Sequence, residues 1–190
     1  VNLATERATV RGVAPVEHLL AALDKSGYPG RAIDAFAPNT DEAAAAQKDA
    51  ERAALQRDLL IATVLALPVF VLEMGSHMIP AMHDWVMTSL GMQASWYLQF
   101  VLTTLVLLLP GPRSYLTGIP ALLRAAPDMN SLVAVGTLAA YMYSVVATFL
   151  PHLLPAGTVN VYYEAAAVIV ALILLGRFLE ARAKRRTSQA

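Results

Sequence analysis

The sequence predicts an α-helical integral membrane protein with four transmembrane helices, preceded by a small α+β segment. The 190 residues are 57% hydrophobic and 15% charged, with a mean hydropathy of +0.52, too apolar for an ordinary soluble domain of this length. Of the fourteen Lys and Arg, seven lie in 1–57, two are Arg113 and Arg124, and five fall in 177–186. The two long intervals without a cation each hold two apolar runs joined by a short polar connection.

These totals also exclude some functions. A formal net charge of zero argues against a nucleic-acid binder that relies on bulk electrostatics. Without cysteine there is neither a disulfide framework nor a thiolate metal cage. The chain opens at Val1 with no methionine and no signal-peptide pattern, and reads as a segment of something longer.

The first 36 residues hold VNLAT and RATVRG as short β-like runs, PVEHLLAALDKSG as a helix, and GRAIDA as a last strand. The helix has apolar residues at 16, 19, 20 and 23, and Gly27 stands where its C-cap is expected. Four such elements cannot bury an adequate core alone; they fit the back part of a split β-α-β, ferredoxin-like module. Residues 37–57 break at Pro38-Asn39-Thr40 and continue as an Ala-rich charged helix that Thr40 or Asp41 can cap.

Four apolar runs follow, at about 59–79, 86–109, 132–150 and 161–179. A bilayer core of about 30 Å needs about 20 helical residues, which the first, third and fourth supply. The second spans if its helix begins near Trp85, ahead of the break at Pro110-Gly111-Pro112. After the break, RSYLTGIPALLR makes an amphipathic segment over 113–126. The basic residues put both termini and this segment in the cytoplasm, with 80–95 and 151–160 outside. The segment 58–128 is thus one helix pair, and 129–190 a second pair followed by a cytoplasmic stalk.

The fourth run, VYYEAAAVIVALILLGRFLEARAKRR, carries Glu164 near its start and Glu180 near its end. A carboxylate in hydrocarbon is costly and tends to have a function. The two are 16 residues apart, about 24 Å along a helix, with Glu164 near the outer face and Glu180 near the cytoplasmic one. Met129 opens the third run, which travels the opposite way, so it shares the cytoplasmic depth of Glu180. A thioether suits a soft metal ion and a carboxylate is a poorly matched ligand for one, so a mixed set would hold such an ion weakly. The bland alternatives are a Glu180–Lys184 pair at i,i+4 and Met129 as apolar filling. Met74, Met78 and Met82 recur at every fourth position beside His77 and His83, where packing at a membrane end is the simpler account. Glu73 is a further buried carboxylate whose partner the sequence does not name.

VNLATERATV followed by HLLAALDKSGYPG resembles the heavy-metal-associated domain of soft-metal transporters. LPVFVLEMGSHM, PDMNSLVAVGTLAAYMYSVVATFLP and the 161–190 stretch together resemble the first four membrane helices of a copper(I)-transporting P-type ATPase of the heavy-metal class. The resemblance covers nearly the whole chain. It implies Cu(I) as the transported ion, Met129 and Glu180 as cytoplasmic uptake residues, and Glu164 as the exit residue. Apart from the resemblance, Met74, His77 and Met78 are further candidates outside, because soft ligands facing the exterior would suit Cu(I) release. The resemblance implies that ATP and Mg are bound by other parts of such a pump, including its phosphorylation and nucleotide domains, so that this segment alone is not catalytic. It also implies a bilayer of the plasma or inner membrane, crossed several times, and a docking platform for a cytoplasmic copper chaperone on 113–126, where Arg113 and Arg124 give only a thin basic patch. Two alternatives stay open: a Zn, Cd or Pb exporter of the same class, and a stand-alone metal-binding membrane protein.

Overall fold

The computed structural model describes residues 1–2, 6–33 and 40–188. Among them run α1 (Val16–Lys25), α2 (Thr40–Met78), α3 (Pro80–Ser89), α4 (Met92–Leu108), α5 (Pro112–Leu123), α6 (Met129–Phe149) and α7 (Tyr163–Ser188). The chain divides into two compact units, one made of Val1–Ala54 with Leu179–Ala190 and the other of Leu55–Phe178.

In the first unit α1 buries none of its residues, and Gly27 ends it at φ 89°. The strands expected over VNLAT, RATVRG and GRAIDA do not form among the described residues. The one β contact there is an antiparallel bridge between Asn2 and Arg7. A two-stranded hairpin is marginal by itself, and a stable ladder needs further strands or a packed helix. Residues 3–5, residues 34–35 of GRAIDA and the capping side chains of Thr40 and Asp41 lie outside the described residues. Glu6 pairs with Lys48 and with Lys184, each at 3.6 Å.

In the second unit α2 turns Leu55, Asp58, Ala62, Ala66 and Val69 inward, a spacing of three and four that continues to the half-buried Glu73. Leu60, Val64, Leu67 and Val71 stay exposed on the other side. An apolar exposed face opposite a small-residue buried one is the pattern of a helix in lipid. Helices α2 and α6 are each long and apolar enough to cross a bilayer, and α3 with α4 makes a third if the bent pair counts as one span. That bend is 93°. The continuous helix expected over 86–109 is therefore interrupted at Leu90-Gly91. Gly91 adopts φ 77°, a left-handed conformation in which a side chain would be strained.

An aromatic cluster joins α4, α6 and α7. Phe100 stands 6.1 Å from Tyr141, 5.0 Å from Phe149 and 6.2 Å from Tyr163, ring centre to ring centre. At the other end of the unit α5 lies hard against α6. A Cβ on Gly118 would stand 2.3 Å from the Asn130 carbonyl oxygen, so only glycine allows this approach.

Candidate functional site

Glu164 is the second residue of α7 and is 9% exposed. Its neighbours fix the start of the helix. The Tyr162 amide donates to Ser144 Oγ at 2.6 Å, and the fully buried Tyr163 shares a 2.8 Å hydrogen bond through its hydroxyl with Thr148 Oγ1. Thr103 donates to the Tyr163 carbonyl at 3.5 Å, which sets α4 against the beginning of α7. The carboxylate itself is left over: Glu164 Oε2 is buried and has no hydrogen-bond partner. Buried carboxylate oxygens are normally satisfied, so this one calls for a ligand, a water or a proton.

One face of α4 explains the surroundings. Ser95, Gln99 and Thr103, four residues apart, are all buried. Gln99 donates through Nε2 to Glu73 Oε2 at 3.1 Å and to Ser95 Oγ at 3.3 Å, while its Oε1 is buried without a partner. Glu73 also lies 3.4 Å from His77 Nδ1, which donates to the Glu73 carbonyl at 2.7 Å. Glu73 and His77 are both within Coulombic reach of Glu164. The carboxylate with no partner legible in the sequence thus has two, and Ser95, Gln99 and Thr103 were the signal that could have named one. Three polar side chains at helical spacing in an apolar run mark an inward face.

This cluster opens on a cleft of about 350 Å³ lined by Glu73, His77, His83, Met87, Met92 and Ser95, among others. His77 is on the cleft, but Met74 and Met78 are not. Met74 is 36% exposed and Met78 is 77% exposed. Met82 is occupied, with its thioether packed over Gly75. The methionines that do line the cleft, Met87 and Met92, come from either side of the α3–α4 bend.

At the opposite end of the unit, Met129 is the first residue of α6 and is 56% exposed. Its position follows from a capping box: Asp128 accepts from the Ser131 amide at 2.9 Å, and Ser131 Oγ accepts from the Asp128 amide at 3.3 Å. The Ser131 amide bond holds the Asp128 carboxyl below the usual carboxylate range. Arg113 lies 3.6 Å from Asp58, a buried carboxylate that also meets Arg57 at 3.7 Å, so half of the thin basic patch on α5 is already paired. Arg124 follows α5 and is exposed. In the first unit Glu180 pairs with Lys184 at 3.3 Å, and this contact raises the lysine pKa above its ordinary value. Among the described residues no three His, Cys, Asp or Glu converge as a metal cluster.

Comparison with known proteins gives this arrangement a family. No family model matches the chain. Over its whole length it is 53% identical to the Copper-transporting ATPase 1 of Rhizobium meliloti and 36% identical to the Copper-exporting P-type ATPase of Bacillus subtilis. It is 40% identical across 72% of its length to the Silver exporting P-type ATPase of Salmonella typhimurium. The chain spans 23% of the length of the first of these, 23% of the second and 17% of the third. It is a homologue of the N-terminal part of copper-transporting P-type ATPases.

Proposed function

We propose that this chain is the N-terminal membrane portion of an ATP-driven Cu(I) export pump, supplying uptake residues on the cytoplasmic side and an exit site on the outer side. The observation that carries this is Glu164, a buried carboxylate with one unpartnered oxygen at the start of α7, beside a polar cluster that opens on a cleft. Glu164 is the exit residue. His77, with His83, Met87 and Met92, lines the mouth through which the ion leaves, and Met74 and Met78 flank it. Met129 and Glu180 are the uptake residues. The names of the relatives support a soft monovalent cargo, since silver and copper(I) share charge and softness.

Four spans fit this role: α2, the bent pair α3–α4, α6 and the apolar part of α7. Helix α7 carries Glu164, Arg177 and Glu180 along its length, which makes it less apolar than α2 or α6. Such charges on a span are tolerated when they face a path or an interface. Both termini and α5 are cytoplasmic, in the plasma or inner membrane, and residues 1–36 are the end of a ferredoxin-like metal-binding module. ATP and Mg are bound elsewhere in the pump, and a copper chaperone docks on α5 through Arg124.

The test is metal-dependent phosphorylation of the intact pump. Cu(I) and Ag(I) should each raise phosphoenzyme from ATP, while Zn, Cd and Pb should not. Stimulation by the divalent ions alone would overturn the assignment of cargo.

A further inference from the structure

Gln99 is 1% exposed, the longest polar side chain on the buried face of α4 that it shares with Ser95 and Thr103. Leucine would cost less there, so the amide needs an explanation. Its two N–H groups are used, one on Glu73 Oε2 and one on Ser95 Oγ. Turning the amide over would press its carbonyl against the Glu73 carboxylate, acceptor to acceptor, so this orientation follows from the chemistry of the partners. The consequence is an unpartnered Oε1 inside the bundle. A second unpartnered acceptor, Glu164 Oε2, lies in the same region: Thr103, one turn from Gln99 on the same face, bonds the carbonyl of the residue before Glu164. Glu73, held by Gln99, is within Coulombic reach of Glu164. Two buried acceptors with no donor leave room for something positive.

We propose that Gln99 is a further residue of the ion path: its amide N–H groups orient Glu73, and its carbonyl oxygen is a transient donor to the monovalent soft cation passing from Glu164 toward the outer cleft. This rests on the exit role of Glu164. A carbonyl oxygen is a poor ligand for a soft ion. It lowers the cost of carrying the charge through an apolar interior without trapping the ion there. The path thus runs Glu164, Gln99 with Glu73, then the cleft, along a side of the bundle that α4 supplies.

The experiment compares Gln99→Leu, Gln99→Met and Glu164→Gln in the full-length pump, following the copper concentration needed for phosphorylation and the decay of the phosphoenzyme. Gln99→Leu and Gln99→Met should slow decay by roughly tenfold, the loss of one hydrogen bond to a charged group. The copper concentration for half-maximal phosphorylation should stay at the wild-type value, because uptake is untouched. Gln99→Met, unbranched and close in volume, carries the test if Gln99→Leu does not accumulate. Thr137→Val, a buried polar-to-apolar change on α6 away from this cluster, should decay like wild type; equal slowing there would reduce the effect to packing and overturn the proposal. Wild-type decay in Gln99→Met while Glu164→Gln is slow would overturn the role of Gln99 and leave the exit site standing. Wild-type decay in Glu164→Gln would remove the exit site itself, and the proposal with it. A Gln99→Met pump that accumulates but no longer phosphorylates would also count against it.

Discussion

Ser131 donates its hydroxyl to the Gly118 carbonyl at 2.7 Å, tying the amphipathic helix α5 to the first turn of α6. The same serine completes the capping box with Asp128, and the contact is so close that a Cβ on Gly118 would meet the backbone of Asn130 and Ser131. The start of α6, where Met129 stands, is therefore set by α5 as much as by its own cap.

Gly118→Ala follows directly from that contact. The obstructing atoms are backbone, which cannot swing aside as a flexible side chain can, so the two helices must separate. A cost of about 1–3 kcal/mol is expected, the range for overpacking a tight site. Gly136→Ala on α6, where a Cβ would meet nothing within 4 Å, is the control and should be neutral. Thermal unfolding in detergent distinguishes them, and equal melting of the two variants would mean that the close approach is not there.

Met129→Leu keeps the apolar volume and removes the thioether. In the intact pump it should raise the copper concentration needed to stimulate ATP hydrolysis while expression stays near wild type. The exposure of Met129 makes a folding defect a poor explanation for such a change. An unaltered copper titration would sink the uptake role.

Much of this was legible in the sequence, for identifiable reasons. The apolar runs that became α2 and α6 announced themselves by length, and Glu164 stood out because a carboxylate is rare in such a run. What stayed hidden depended on pairing between distant segments. Nothing local marked the 93° bend at Gly91, since a single glycine between apolar stretches reads equally well as part of a helix. The Met74–Met78–Met82 spacing reads more simply as packing at a membrane end than as a ligand face, and only the structure shows that Met82 packs over Gly75 while Met87 and Met92 line the cleft. Of the β-like runs near the N-terminus, the described residues form a single bridge, Asn2 with Arg7, because strand pairing depends on distant partners that a local pattern does not name. Glu73 lacked a visible partner because Gln99 lies 26 residues away in the chain.

Topology can be tested without reference to transport. The chain contains no cysteine, so single cysteines at Asn160, Asp84 and Ala126 introduce unique labels within it. With any other cysteines of the pump replaced, Asn160→Cys and Asp84→Cys should react from outside with an impermeant thiol reagent, and Ala126→Cys should react only after the membrane is opened. The opposite pattern would invert the orientation assigned from the Lys and Arg distribution.

The two glutamates of α7 should fail differently. Glu180 is exposed and paired with Lys184, an arrangement that by itself contributes little to stability. Glu180→Gln should therefore leave the fold intact. If Glu180 helps take up copper, the variant needs more copper to be phosphorylated and, once phosphorylated, decays normally. Glu164 is buried with an unpartnered oxygen, so Glu164→Gln preserves shape and removes a buried charge that has no ion-pair partner among the described residues. If that carboxylate only packs, the variant is neutral or slightly more stable. If it receives the departing cation, its charge acts in a low-dielectric path where the attraction is strong, and without it phosphoenzyme forms at ordinary copper but loses its phosphate slowly. Phosphorylation and chase in the two variants, measured side by side, separate the cases. The same defect in both, or none in either, would end the assignment of uptake and exit to opposite ends of this helix.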